Sequence, residues 1–269
     1  MPERAVKIRL LLTPPDSDQE AEAARASHAA AVIDVLRATS TLARAWSQGA
    51  REVLFFDSPD EARAARRRVP GRVLLCGERQ GKRLRSFDLG NSPFEYERVR
   101  VAGTVLLYTS TNGSRAFLAT RGAEVQWAVA FVNMEASVAK AAAWLEARAR
   151  SGAPMPPEGA ADLWIVCAGK EGQDSEEDTA CAGRFALGIL QRLAAAGVAV
   201  EMAAEGQTLA SAPETEMETR DLVTASEHGR YLTSLGLEYE KDVEWCARWD
   251  LLDCVPEGSG GRLVSNSST

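Results

Sequence analysis

Short apolar runs alternate along the chain with longer stretches of charged and helix-forming residues. The apolar runs are rich in β-branched and aliphatic side chains and hold few polar positions, which is typical of strands buried on both faces of a sheet. We therefore predict seven strands: Val6–Leu12, Ala30–Leu36, Val53–Phe56, Val73–Cys76, Val105–Tyr108, Val125–Phe131 and Leu163–Cys167.

The segments between these runs are rich in Ala, Arg, Glu and Leu, which favour helices. The clearest predicted helices are Ser58–Arg68, Met134–Arg150 and Glu176–Ala196, and a fourth is predicted at Glu214–Ala225 within the poorly readable polar stretch Glu205–Glu227. The alternation of strand and helix predicts an α/β domain with a mainly parallel sheet.

The chain has 269 residues, of which 45% are hydrophobic, so it can bury a substantial core. We predict one α/β domain over residues 1–255. The segment Ser151–Ala160, with three prolines and two glycines, is the best linker candidate. The Gly/Ser-rich tail over residues 256–269 is expected to be flexible.

The charge and cysteine content restrict the function classes. The chain carries 38 acidic and 31 basic side chains, a net charge of −7, which argues against nucleic-acid binding. It holds no apolar run near the ~20 residues of a membrane helix and no signal-peptide core at its start, so a cytoplasmic protein without membrane contact is expected. The five cysteines form no C-x-x-C pair, which favours buried free thiols over a disulfide framework or a zinc site.

Polar clusters follow several of the predicted strands, where ligands bind in parallel α/β sheets. In the first cluster, Asp34 is a candidate to hold a cation. Arg37, with the hydroxyls and amides of Thr39 and Ser40 at a helix start, is a candidate to hold a phosphate. The alternative is that these hydroxyls only cap the helix and that Asp34 is a hydrogen-bonding residue at the strand end.

The second cluster, Gly77–Lys82, places Glu78 beside Arg79 and is followed by Asp88–Pro93. It is one residue short of a Walker A loop and lacks the Ser/Thr that would meet the metal, which disfavours nucleoside triphosphate binding. The third cluster, Thr109–Arg115, contains an Asn-Gly pair that is equally typical of a plain turn.

The fourth cluster follows the strand Leu163–Cys167 and holds five carboxylates within residues 171–178, several of them opening a helix. Exposed carboxylates at a helix start are stabilised by the positive end of the helix dipole, which would explain them without a function. Carboxylates are also the ligands that Mg²⁺ prefers. The chain contains only two histidines, His28 and His228, which disfavours a histidine-rich catalytic centre. A capping or packing role explains His228 at least as well as a catalytic role.

The order of the clusters resembles the 2-phosphosulfolactate phosphatase family of coenzyme M biosynthesis. The resemblance extends from about Val32 to Pro256 and includes Ser226–Gly236 and the segment from Cys246. It implies a magnesium-dependent acid phosphatase that converts 2-phosphosulfolactate to sulfolactate. It also implies a three-layer α/β/α fold of two similar halves, residues 1–125 and 126–255, while a homodimer is left open.

The resemblance directs attention to matching residues in each cluster, although Ser110 and Ser114 stand where threonine is expected. On physical grounds we assign one Mg²⁺ to carboxylates and the phosphate and second anion of the substrate to two arginines. The predicted metal ligands are Asp34, Glu78, Glu177 and Asp178; the predicted catalytic residues are Asp34, Arg37 and Arg79; and the predicted substrate-binding residues are Thr39, Ser40, Asn91, Ser92, Thr111, Asn112 and Gly169.

Two alternatives stay open at this point. Asp34 could form an aspartyl-phosphate, but the second aspartate expected two residues later in the haloacid dehalogenase family is replaced by Leu36. The chain could also be a non-catalytic binder of an acidic or phosphorylated metabolite.

Overall fold

The computed structural model describes residues 4–15, 17–204 and 208–265. The strands are β1 Val6–Leu11, β2 Ala29–Ile33, β3 Glu52–Phe55, β4 Val73–Arg79, β5 Lys82–Arg83, β6 Val105–Thr109, β7 Val125–Val129, β8 Leu163–Cys167, β9 Val200–Ala204, β10 Glu257–Ser259 and β11 Arg262–Val264. The helices are α1 Asp18–Arg25, α2 Ala38–Ser47, α3 Pro59–Arg66, α4 Arg98–Val101, α5 Gly113–Ala119, α6 Met134–Arg150, α7 Glu176–Ala195, α8 Glu216–Ala225, α9 Glu227–Ser234 and α10 Leu237–Cys246.

The strands form one sheet in the order β5-β4-β6-β3-β11-β10-β7-β2-β8-β1-β9. Two blocks of the sheet are parallel: β4, β6 and β3 form the smaller block, and β7, β2, β8, β1 and β9 form the larger one. The predicted α/β fold with a largely parallel sheet is confirmed. Strand β1 pairs with β8 and β2 pairs with β7, so strands of the two predicted halves are neighbours in the sheet. The similarity of the two halves stays a prediction.

The hairpin of β10 and β11 lies between the two blocks. It pairs antiparallel with β7 on one side and with β3 on the other. This differs from the expected flexible tail, because residues 257–264 complete the sheet; residues 266–269 lie outside the described residues. The Gly/Ser composition that favoured flexibility instead serves the hairpin turn, where Gly260 and Gly261 both have positive φ angles.

The central strands of the larger block, β2 and β8, are buried on both faces, which accounts for their uninterrupted apolar sequences. Ala31 and Ile33 of β2 belong to the same buried cluster as Phe185 of α7. Val32, which points to the opposite face, belongs to a second cluster with Leu42 of α2. Because successive strand residues point to opposite faces, helices cover the sheet on both sides in three layers.

Local signals explain where most elements begin and end. Ser58 is the N-cap of α3, with its side chain accepting the N–H of Glu61, so the helix begins one residue later than predicted. The strand predicted at Ala30–Leu36 ends at Ile33, because the carbonyl of Asp34 accepts hydrogen bonds from the N–H and hydroxyl of Thr39. The chain therefore turns into α2 immediately after β2.

Within the described residues, no helix combines the length and apolar character needed to cross a bilayer. The five cysteines are free thiols. Four of them are buried as predicted, and Cys254 is half-buried.

A buried ion cluster joins the amino-terminal ends of β1, β2 and β8. The Asp162 side chain is fully buried and accepts two hydrogen bonds from the Arg4 guanidinium, at 2.8 and 2.7 Å. It also accepts the N–H of Lys7 and lies 3.1 Å from Nδ1 of His28. Burial by itself would raise the pKa of Asp162, but the hydrogen bonds from Arg4, Lys7 and His28 outweigh it and lower the pKa below its usual value.

We predict that Asp162→Asn lowers the free energy of unfolding at pH 7 by about 3 kcal/mol, because it leaves a buried guanidinium without its counter-charge. Because the pKa of Asp162 is lowered in the folded state, this stabilisation is present above about pH 4 and is lost as the pH falls further. Urea unfolding of both proteins between pH 3 and pH 7 measures the effect. Asp60→Asn, which removes an exposed partner of Arg63, is the control and should change little.

Candidate active site

Loops that follow strands of both parallel blocks surround one cavity of about 300 Å³. The loops after β2 and β8 come from the larger block, and those after β4 and β6 come from the smaller one. The residues that line the cavity are Asp34, Leu36, Arg37, Glu78, Gln80, Gly81, Asn91, Thr111, Asn112, Lys170, Glu171, His228, Tyr231 and Leu232. Four of the clusters predicted from the sequence therefore contribute to a single site.

Asp34 lies at the end of β2 and is almost fully buried at the cavity wall. Its Oδ1 accepts the N–H of Ala38 at 3.1 Å. Its Oδ2 lies so close to Gly113 that a Cβ at that position would come within 2.7 Å of it. Burial raises the pKa of Asp34 to about 6, the N–H of Ala38 and His228 oppose the shift, and the neighbouring carboxylates Glu78 and Glu177 add to it.

Asp178, in the first turn of α7, joins the loops after β2 and β8. Its Oδ1 accepts the N–H of Val35 at 2.8 Å, and its Oδ2 accepts the N–H of Gly169 at 3.1 Å. Burial, together with the nearby charges of Asp34 and Glu177, raises the pKa of Asp178 well above its usual value. Gly169 has a φ of +61°, and a Cβ there would lie 2.3 Å from the carbonyl oxygen of Gln173, so this position requires glycine.

Glu78 joins the loops after β4 and β6 in the same way. Its two carboxylate oxygens accept the N–H groups of Gly81 and Thr111, both at 2.8 Å. The Thr111 hydroxyl is buried at the cavity wall and has no hydrogen-bond partner within the described residues. The role of Thr111 as a substrate-binding residue stays a prediction.

Arg37 lies in the cavity wall and is held by groups from two other segments, α10 and the turn after β4. Its guanidinium forms a buried ion pair with Asp242 of α10 and donates to the Gly81 carbonyl at 2.5 Å. It also lies 5.1 Å from the ring centroid of Tyr239. Ser92 donates to the second oxygen of Asp242 at 2.6 Å, so this predicted substrate-binding residue supports Arg37.

Asn91 and Asn112 both line the cavity, as the prediction requires. The Oδ1 of Asn91 accepts the hydroxyl of Tyr108, and its backbone carbonyl accepts the hydroxyl of Thr41 at 2.9 Å. The Oδ1 of Asn112 accepts the N–H of Glu171 at 3.2 Å. These bonds fix the position of each side chain at the wall.

Seven predicted site residues do not line the cavity: Thr39, Ser40, Arg79, Ser92, Gly169, Glu177 and Asp178. Thr39 and Ser40 are fully buried, and their hydroxyls donate to the carbonyls of Asp34 and Val35, which shapes the turn between β2 and α2. Arg79 donates to the Thr109 hydroxyl at 3.0 Å and is absent from the cavity wall. Strand β4 extends to Arg79, so Glu78 and Arg79 point to opposite faces and only Glu78 faces the cavity.

Sequence reasoning missed several residues of the site that lie on the helices after α7. His228 lies at the cavity wall, and its Nδ1 is 3.3 Å from Oε1 of buried Glu177. The sequence supports a capping or packing role for it at least as well as a catalytic one. Tyr231 and Asp242 were not selected at all. Both occur in segments with clear helical composition, and an acidic residue beside the buried Val243 was the one available signal for Asp242.

Helix α9 covers one side of the cavity and contacts loops of both blocks. The Tyr231 hydroxyl donates to the carbonyl of Gln80 at 3.1 Å. The ammonium of Lys170, on the loop after β8, lies 2.6 Å from Oε1 of Glu227 and 5.6 Å from the ring centroid of Tyr231. The helix thus bridges the β4–β5 turn and the loop after β8.

The carboxylates provide the hard oxygen ligands that Mg²⁺ prefers. Both oxygens of Glu78 and both oxygens of Asp178 accept backbone N–H groups, whereas Asp34 has one oxygen engaged in this way. Among the described residues, no group of three or more His, Cys, Asp or Glu side chains has the arrangement of a metal site.

Comparison with known proteins shows the family to which the chain belongs. The family model described as 2-phosphosulpholactate phosphatase matches residues 15–261. A protein of Thermotoga petrophila is 35% identical over 235 residues, covering 87% of this chain and 91% of the relative. One of Synechococcus sp. (strain JA-2-3B'a(2-13)) is 36% identical over 232 residues, covering 84% and 87%.

Another relative, from Symbiobacterium thermophilum, is 35% identical over 241 residues, covering 89% of this chain and 94% of its own. All three relatives are named "Probable 2-phosphosulfolactate phosphatase". The resemblance predicted from the order of the polar clusters is confirmed, and this chain belongs to the 2-phosphosulpholactate phosphatase family.

Proposed function

We propose that this chain is a magnesium-dependent phosphatase that hydrolyses a small, doubly anionic phosphomonoester resembling 2-phosphosulfolactate. The observation that carries the proposal is the convergence of Asp34, Arg37 and Glu78 on one cavity in a chain of this family. A volume of about 300 Å³ lies at the lower end of the range for small-molecule sites, which suits a compact substrate.

The donor chemistry of the site fits Mg²⁺. This ion is commonly held by one or two carboxylates, while water and substrate oxygens complete its shell. Asp34 and Glu177 are the best candidates. Asp34 lines the cavity, and Glu177 is buried close enough to Asp34 to raise the pKa of Asp34. When bound, Mg²⁺ would neutralise charge on the phosphoryl group and polarise a water molecule.

The chain's own residues would bind and orient the phosphate around that centre. The Arg37 guanidinium is pre-positioned by Asp242 and Tyr239, so little side-chain entropy is lost when an oxyanion approaches it. The unpartnered hydroxyl of Thr111 offers a further donor. Hydrolysis of phosphomonoesters depends mainly on such positioning and charge neutralisation.

The cellular setting is part of the same proposal. All five cysteines are free thiols, which is typical of a reducing compartment such as the cytoplasm. The connection to coenzyme M biosynthesis, the expected lack of nucleic-acid binding and the homodimer left open above stay predictions.

We predict that removing divalent cations with EDTA abolishes phosphate release from 2-phospholactate or 2-phosphosulfolactate. Added Mg²⁺ should restore it without zinc, because the available ligands are hard carboxylates. Phosphate release is measured colorimetrically before and after dialysis. Full activity after exhaustive chelation would contradict the metal assignment, and binding of phospholactate without turnover would favour the non-catalytic alternative.

We predict that Asp34→Asn lowers kcat by about two to three orders of magnitude, because it removes the charge facing the cavity while nearly preserving side-chain volume. The matched control is Asp174→Asn, which changes an exposed carboxylate of the acidic loop and should keep near-normal turnover. Circular dichroism and thermal unfolding check that both variants fold. Near-normal kcat for Asp34→Asn at saturating Mg²⁺ would show that Asp34 only shapes the loop.

We predict that Glu177→Gln raises the Mg²⁺ concentration needed for half-maximal activity by about ten- to hundredfold. Glu177 is buried beside the cavity, whereas Glu176 in the same turn of α7 is exposed. Glu176→Gln is therefore the matched control and should leave the Mg²⁺ requirement within about twofold. Equal shifts for the two variants would indicate a general effect of charge at the helix start.

A further inference from the structure

The doubly anionic substrate proposed above requires a second positive site besides the one that binds its phosphate. Two residues with permanent positive charge line the cavity in the described part of the chain, Arg37 and Lys170. Arg79, to which the sequence assigned this role, points away from the cavity and binds Thr109. The second anion must therefore be served by Arg37 or by Lys170.

Arg37 is the residue that the proposed function assigns to the phosphate, and protein groups hold its guanidinium in place. Its ion pair with Asp242 is buried on both sides, with 3% and 2% of the two side chains exposed. Its other terminal nitrogen donates to the carbonyl of Gly81. Releasing this guanidinium would leave a buried carboxylate without its counter-charge, which is unfavourable, so Arg37 is a fixed residue of the wall.

Lys170 differs from Arg37 because its ion-pair partner is exposed. Its protein partner, Glu227, is 82% exposed, and an exposed ion pair contributes little to stability. Its backbone is fixed, because the N–H of Lys170 donates to the Gln173 carbonyl at 2.8 Å and the N–H of Gln173 donates back at 3.0 Å. The lysine is thus a flexible cation on a rigid turn at the cavity wall.

The position of Lys170 relates it to the proposed reaction centre. The preceding residue, Gly169, donates its N–H to Asp178, so the turn that carries Lys170 is anchored to the buried carboxylates. The ammonium lies 5.6 Å from the ring centroid of Tyr231, which also lines the cavity. An anion in the cavity could replace Glu227 as the partner of Lys170 without disturbing buried groups.

We propose that Lys170 determines specificity for the second anion of the substrate, exchanging its ion pair with Glu227 for the carboxylate or sulfonate next to the phosphate. This inference rests on the proposed phosphatase function and adds the residue that selects the substrate class. Glu227 holds the ammonium at the cavity entrance in the free protein. Lys170 acts on binding of the substrate and takes no part in breaking the P–O bond.

The test compares 2-phospholactate with 2-phospholactamide, which has the same skeleton and a neutral amide in place of the carboxylate. The quantity measured is the ratio of kcat/KM for the two compounds. Lys170→Met keeps the length of the side chain and removes its charge, and it should lower this ratio by about 10- to 100-fold, the size of a charge-assisted hydrogen bond. Lys170→Gln is a second variant should the first fold poorly.

Glu227→Gln provides an independent readout that a purely structural role of Lys170 would not affect. By removing the competing carboxylate it should lower KM for 2-phospholactate by about two- to fivefold, the size of an exposed ion pair. In the Lys170→Met background the same change should have no effect on KM, because the two residues act through one interaction. Additive effects would contradict the exchange of partners.

Lys82→Met is the matched control, because Lys82 is an exposed lysine on β5 that does not line the cavity. The ratio of kcat/KM for the two compounds should stay within about twofold of the wild-type value in this variant. An unchanged ratio in Lys170→Met, or a fall in Arg79→Ala instead, overturns the inference while the phosphatase function stands. If the wild-type protein with Mg²⁺ releases phosphate from neither compound, the proposed function fails and the inference fails with it.

Discussion

The structure around the cavity depends on how buried carboxylates are compensated. A buried charge is costly unless it is paired or hydrogen-bonded, and here backbone N–H groups provide most of the compensation. Asp178 accepts N–H groups from the loops after β2 and β8, and Glu78 accepts them from the turn after β4 and the loop after β6. Each carboxylate therefore joins two loops, and the acidic residues that define the site also hold it together.

The same constraint separates the carboxylates into two groups. Glu78 and Asp178 have both oxygens engaged by backbone donors and are best suited to fixing loop positions. Asp34 is held through one oxygen by Ala38, and its other oxygen lies against Gly113, where no side chain intervenes. The chemistry that we propose is assigned to Asp34 for this reason, although the sequence presents all of these acids as equivalent candidates.

Much of the fold follows from the hydrophobic pattern, whereas the site follows from it only in part. Strands β2 and β8 are apolar throughout and were predicted to within a few residues, and Asp34 was identified because it follows β2, whereas the largely exposed β9 was not predicted. Arg79 was misplaced because the strand was expected to end at Cys76; its continuation to Arg79 turns adjacent side chains to opposite faces. Asp242 and Lys170 depend on contacts between distant segments that no local pattern encodes.

The order of the strands sets the relative direction of the two parallel blocks. Three consecutive antiparallel pairings, β3 with β11, β11 with β10 and β10 with β7, reverse the strand direction between the two blocks. The two parallel blocks therefore run in opposite directions, and their loops contact each other where Arg37 donates to the Gly81 carbonyl and the N–H of Glu171 donates to Asn112. The short hairpin near the end of the chain fixes the relative direction of the two blocks, so a segment with a flexible composition is an integral part of the sheet.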